Sequence, residues 1–440
     1  MIQKNTAVIN RLSGDRSELV GFCRFLNNDS VHWEKMMEST IARTGLLSKD
    51  RHVLVINDTS EMNYQSHVGF MNMRDKELGP TGNNKDIGFF LHPALVIDVE
   101  HEIGLGFSYA KLWNRHWDKL DKNDRKYQQQ NIEEKESYRW IECGIESKKN
   151  LESAAQITIV ADRESDIYEE FVMVPDERTH LLIRSRHDRS LHDGSKLYAH
   201  INNIASCGHY ELKVRTTKNR KGRNTTIEIK YSKVRICKSS KKTHKHMPEW
   251  VELTVVEARE VNANLLATGE KPIHWVLLTT HLVNSFEEAL QIVRWYSLRW
   301  QIELLFGTMK SKGLNIEASE LENGKALKTL CIMAMQVALK INQLRQARND
   351  LTEIPAQIAF TDKQIIVLKA LVKKYERKTE KQKNHYKECT LAWAAWVIAR
   401  MGGWKGYASE SPPGNKTFKA GIDRFDGVIE GYELYEKMCA

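Results

Sequence analysis

Two short apolar runs, each closed by an aspartate, constrain this 440-residue chain more than any other feature. Val53-Leu54-Val55-Ile56 leads into Asn57-Asp58-Thr59, and Ile157-Thr158-Ile159-Val160-Ala161 leads into Asp162. A continuous apolar run of this length is the pattern of a strand buried on both faces, as in a mainly parallel sheet. The carboxyl ends of such strands form the rim where α/β proteins place their sites. Taken singly, an aspartate there more often merely caps a turn. Further strands are predicted at Phe89 to Val99, Ile103 to Tyr109, Leu181-Leu182-Ile183 and His274 to Thr280, so the chain reads as α/β.

The stretch Ser285 to Lys312 lacks proline and predicts one helix of roughly seven to eight turns. Within it, Tyr296, Arg299, Glu303 and Lys310 fall inside an arc of about 60° at about 100° per residue. Trp295, Leu298, Ile302, Leu305 and Met309 cluster on a different side, the expected buried stripe. One carboxylate flanked by cations on a single stripe can hold a metal ion while its neighbours hold phosphates. A solvated helix face with ordinary ion pairs has the same pattern.

Lys+Arg 66 against Asp+Glu 57 gives a net charge of +9, which favours a polyanionic partner, nucleic acid or membrane surface. No apolar run approaches the ~20 residues that cross a bilayer, and no signal-type core follows Met1, so an intracellular chain without a membrane is expected. The seven cysteines form no Cys-x-x-Cys pair, which argues against a zinc site or a disulfide framework.

Around this core, Glu18 to Leu26 and Val31 to Arg43 read as helices. Arg184, Arg186 and Arg189 lie within six residues at a strand end, suiting phosphate contacts or a solvated turn. Tyr210 to Arg215, Thr225 to Tyr231, Val234 to Lys238 and Val251 to Ala258 read as short alternating strands. Between them lie Arg220, Lys221 and Arg223 in one basic run and Lys241, Lys242 and Lys245 in another. Such a segment suits sequence-independent backbone binding, or is a solvated surface.

Tyr296, Arg299, Glu303 and Lys310 carry the gapless spacing of the "YREK" signature, and the chain resembles the transposases of that bacterial insertion-sequence group, insertion sequence family four. Cys23 to Asn28, Asp162-Arg163-Glu164-Ser165-Asp166-Ile167, the basic segment and the Gly402-Gly403 turn with its preceding helix extend the resemblance over roughly residues 17 to 435. It implies an RNase H-like core of the retroviral integrase superfamily with a β-rich insertion and flanking helical regions. The implied organisation is a shortened end-binding helical region at 1–50, core at 51–204, basic β insertion at 205–271, core with the glutamate helix at 272–346, and a helical region at 347–440.

The implied activity is that of a DDE transposase: DNA cleavage at element ends and strand transfer into target DNA. A nuclease without strand transfer and a truncated DNA-binding inhibitor of transposition are the rivals. Asp58, Asp162 and Glu303 would hold two Mg²⁺ or Mn²⁺ ions, since three hard oxygen donors suit these metals and not zinc. By the resemblance, Arg299 and Lys310 hold phosphates, Tyr296 positions DNA, and Trp275 stacks on a flipped base or packs in the core. Inverted-repeat ends, target DNA and a second copy of the chain are the implied partners, in a bacterial cytoplasm at the nucleoid.

Overall fold

The structure, a computed structural model, describes residues 7–71, 75–118, 130–214, 216, 222–240, 245–261, 270–311, 313–348, 353–407 and 409–439. Its strands are β1 His52–Asn57, β2 Ser60–Asn63, β3 Gly79–Pro80, β4 Ile87–Asp98, β5 Gly104–Trp113, β6 Gln156–Ala161, β7 Thr179–Arg184, β8 Gly208–Val214, β9 Arg223–Cys237, β10 Trp250–Glu260 and β11 His274–Thr279. Its helices are α1 Ile9–Leu12, α2 Arg16–Asn27, α3 Trp33–Leu47, α4 Tyr138–Asn150, α5 Tyr168–Met173, α6 Leu197–Asn203, α7 Phe286–Ser297, α8 Trp300–Met309, α9 Gly324–Ala347, α10 Asp362–Tyr375, α11 Leu391–Met401 and α12 Asn415–Cys439. The chain is mixed α/β and divides into two compact units: Ser48–Asp58 with Leu120–Trp300, and Met1–Leu47 with Thr59–Lys119 and Gln301–Ala440.

The first unit is built on a sheet in the order β1-β6-β7-β11-β10-β9-β8. β1, β6 and β7 are mutually parallel, and from β7 onward the neighbours alternate direction. The parallel members are the continuous apolar runs, buried along nearly their whole length. α4 lies against β1. A Cβ added at Gly144 of α4 would come within 2.8 Å of Val174 and 3.2 Å of Ile159, so this helical glycine permits the close approach.

In the second unit β4 pairs with β2, β3 and β5. The helices α3 and α9 cover β5, and α9 packs on α11 and α12. The hub of this unit is α11, every residue of which is buried.

Two expectations are corrected. The helix predicted over Ser285 to Lys312 is two helices. α7 ends at Ser297, the Arg299 N–H bonds the Tyr296 carbonyl three residues back at 3.0 Å, and α8 restarts at Trp300. A tightened turn of this kind needs no proline or glycine. The strands expected at Thr225 to Tyr231 and Val234 to Lys238 are the single strand β9, because Ser232 and Lys233 pair with Val255 and Thr254 in unbroken register.

Candidate active site

β1 and β6 are parallel neighbours with Ile56 opposite Val160. Asp58 and Asp162 each follow two residues later, so the two carboxylates leave the sheet at the same level of its C-terminal rim. This is the placement that the two apolar runs predict. Asp162 opens a short 3-10 turn, Arg163–Ser165, its Oδ1 accepting the Glu164 N–H at 2.8 Å. Arg139 on α4 holds that turn through Glu164 at 2.8 Å.

The break after α7 aims Arg299 at this rim. Its Nη1 donates to Asp58 Oδ2 at 2.8 Å, with both side chains less than one-fifth exposed. One turn earlier, Tyr296 is 4% exposed. Burial pushes its phenol up, opposed by Arg299, by Arg184 and by a hydrogen bond with Arg184; Asp162 pushes it up further. Trp275 meets Tyr296 edge-on at 5.1 Å, and Arg184 Nη2 donates to the carbonyl of His274 at 2.9 Å. The β7–β11 pairing, with Leu277 opposite Arg184, brings these side chains to one place. Six predicted residues, Asp58, Asp162, Arg184, Trp275, Tyr296 and Arg299, therefore belong to one neighbourhood of one unit. Trp275 is half-buried and outside the core.

The remaining predicted residues lie elsewhere or are otherwise engaged. Glu303 stands in the first turn of α8, partly exposed, and belongs to the second unit. There Lys310 pairs with Glu317 at 3.0 Å and donates to the carbonyl of Glu61. Arg186 is exposed, and its backbone N–H donates to Asp166. Asp166 is fully enclosed, accepting also from His187 N–H and from Arg189. Arg189 is thus a structural cation of the loop. Arg223 is one as well: it makes two bonds to the buried Glu260, at 2.8 and 2.9 Å, and one to Glu270 at 2.8 Å. Arg220, Lys221, Lys241 and Lys242 lie outside the described residues.

Several groups had no sequence signal. Trp300, beside Arg299, is 61% exposed. Glu170 on α5 is a fully buried carboxyl. His52, His180 and His281 gather with Trp295 around Thr158, whose hydroxyl lies 2.9 Å from His52 Nε2 and 2.8 Å from His281 Nε2. In the second unit Asp98, Glu100 and His101 bring three possible metal-ligand atoms within 4.8 Å of one another, though Asp98 already bonds His101. These residues are scattered in sequence or sit in an ordinary polar turn, so only folding gathers them.

Residues 144–339 match the family model of the Transposase DDE domain. The match supports a DDE transposase, and it includes Asp162 and Glu303 while Asp58 precedes it. DDE transposase domains generally use divalent metal ions. The cryo-EM structure of the piggyBac transposase synaptic complex with hairpin DNA is similar at 8% identity and a TM-score of 0.38, over 93% of this chain and 65% of that one. At that score the likeness carries no argument, and the chain spans less than two-thirds of that relative's length. All seven cysteines are free. Among the described residues, no helix is long and apolar enough to cross a membrane.

Proposed function

We propose that this chain is a DDE transposase that cleaves DNA at the ends of an insertion sequence and joins them to target DNA. The observation that carries this reading is the level pair Asp58 and Asp162 on adjacent parallel strands, with Arg299 bonded to the first. Glu303 is assigned as the third carboxylate by its place in the Tyr296, Arg299, Glu303, Lys310 spacing, and the core is taken as RNase H-like.

Asp58, Asp162 and Glu303 offer hard carboxylate oxygens, the donor set that Mg²⁺ and Mn²⁺ take, and these three would hold two such ions. Bound there, the metals would sharpen a water or 3′-hydroxyl as nucleophile and stabilise the departing oxygen. In cleavage the water oxygen bonds to phosphorus and the phosphorus–O3′ bond breaks. In strand transfer the new 3′-hydroxyl attacks a target phosphate in the same way.

The protein's own groups bind and orient. Arg299 fixes one oxygen of Asp58 and presents positive charge to a phosphate. Trp275, half-exposed and backed by the buried Tyr296, and Arg184 offer an aromatic ring and a fixed cation suited to an unstacked base and a sugar–phosphate backbone, with Tyr296 positioning the DNA through them. Lys310 is the further phosphate ligand, and Arg186 extends the cationic edge. The matched ends, target DNA and a second copy of the chain are the proposed partners, at the bacterial nucleoid.

Incubating the protein with Mg²⁺, DNA carrying the inverted repeats that bound its gene, and a target plasmid tests this. Joined products are expected. Nicks without joining would instead make the protein a nuclease, and binding without either would make it an inhibitor.

A further inference from the structure

Glu170 is a carboxyl group sealed inside the unit that carries the two aspartates. It is 0% exposed, and its Oε2 accepts from Ser165 Oγ at 2.6 Å. Ser165 closes the turn that Asp162 opens. On the neighbouring strand, Asn57 immediately precedes Asp58, is likewise fully buried, and donates from Nδ2 to Cys143 Sγ at 3.4 Å. Glu170 acts electrostatically on that same thiol. Two buried oxygens here, Glu170 Oε1 and Asn57 Oδ1, have no hydrogen-bond partner. Buried polar atoms without partners are uncommon and mark places where a fold accepts a cost, often at functional sites.

We propose that Glu170 is a positioning residue for the Asp58 and Asp162 pair, acting through Ser165 on the turn that Asp162 opens. This rests on the assignment of that pair as catalytic carboxylates. Burial pushes the Glu170 carboxyl up to about 8, with nearby Asp166 raising it and the Ser165 bond opposing. The titratable groups facing it are Asp166, already tied to Arg189, and the Cys143 thiol, itself pushed up to about 12. At neutral pH Glu170 is therefore mostly uncharged, and ionising it would bury a negative charge against Ser165, in the turn that Asp162 opens.

The test compares the parent with Glu170→Gln, Glu170→Ala and Ser165→Ala, after thermal melts confirm folding. Mg²⁺-dependent nicking and Mn²⁺ binding by electron paramagnetic resonance are both followed on either side of pH 8. The parent should lose both above about pH 8, and Glu170→Gln, neutral and equal in size, should keep both near parent values at pH 7 and abolish that expected fall. Glu170→Ala and Ser165→Ala should lose about 10–100-fold in metal affinity or rate, the usual cost of removing a group that orients a ligand. If Glu170→Gln retains the parent's alkaline fall, or Glu170→Ala matches the parent, the role is overturned. If nothing nicks but Mn²⁺ affinity follows the predicted order, the positioning role stands and the transposase reading fails. If Asp58→Asn and Asp162→Asn leave Mn²⁺ binding unchanged, the role falls with the pair.

Discussion

Trp275 shows how far one residue can be read. It is half-exposed and leans edge-on against the buried Tyr296. A base stacked on its exposed part gains about 1–3 kcal/mol. Trp275→Ala should therefore slow a step after first nicking by that amount while first nicking persists. Its melting temperature should move less than for a fully buried Trp, whose truncation costs about 3–5 kcal/mol. Stepwise kinetics and a melt on the one variant decide between stacking and packing. His281 gives a second prediction. Burial, then His180 and His52, push its imidazole down from 6.5 to about 3. The folded protein thus holds it neutral while the unfolded chain takes up a proton, so its contribution to stability is complete above 6.5 and is lost as pH falls toward 3. Melting temperature should drop across that window, and His281→Gln should flatten the drop. An identical pH profile in the variant would remove His281 as the cause.

Among elements, the parallel strands were the most legible. A strand buried on both faces must be apolar throughout, so β1 and β6 announced themselves and their closing aspartates with them. The break between α7 and α8 was not legible. No glycine or proline marks it, and the contact it serves, Arg299 to Asp58, spans 241 positions. Nor did sequence reveal the place of Arg223, whose partners Glu260 and Glu270 lie 37 and 47 residues away. Composition put Arg223 with Arg220 and Lys221 as a DNA contact. Its geometry predicts that Arg223→Ala lowers stability by on the order of 3 kcal/mol, because the buried Glu260 loses its cation while keeping the Ile273 N–H. Arg223 holds the Glu260 carboxyl down at about 2, so the deficit should shrink as pH falls below 4.5 toward that value. Arg220→Ala with Lys221→Ala should reduce the slope of log affinity against log salt by about 1.8 if both meet phosphates. An unchanged slope would take them out of the interface.

At the scale of the whole molecule, the proposed function draws DNA affinity from the net charge of +9 and chemistry from a few carboxylates. Binding and cleavage should therefore separate under substitution. The charge balance and the order of the motifs were visible in sequence, because each is a local or summed property. The buried Glu170 and the cluster of three half-buried histidines were not, since burial and clustering are decided by parts of the chain far apart. Glu303→Gln tests the central claim most directly. It preserves size and helix propensity, removes one anionic ligand, and replaces it with an amide that presents hydrogens as well as oxygen. Metal assistance is worth several kcal/mol at about 1.4 kcal/mol per decade, so Mg²⁺-dependent nicking of matched end DNA should fall at least about 10²–10³-fold. A gel shift on the same DNA should show binding as tight as the parent's, or tighter. Nicking by Glu303→Gln at the parent's rate would contradict the three-carboxylate site.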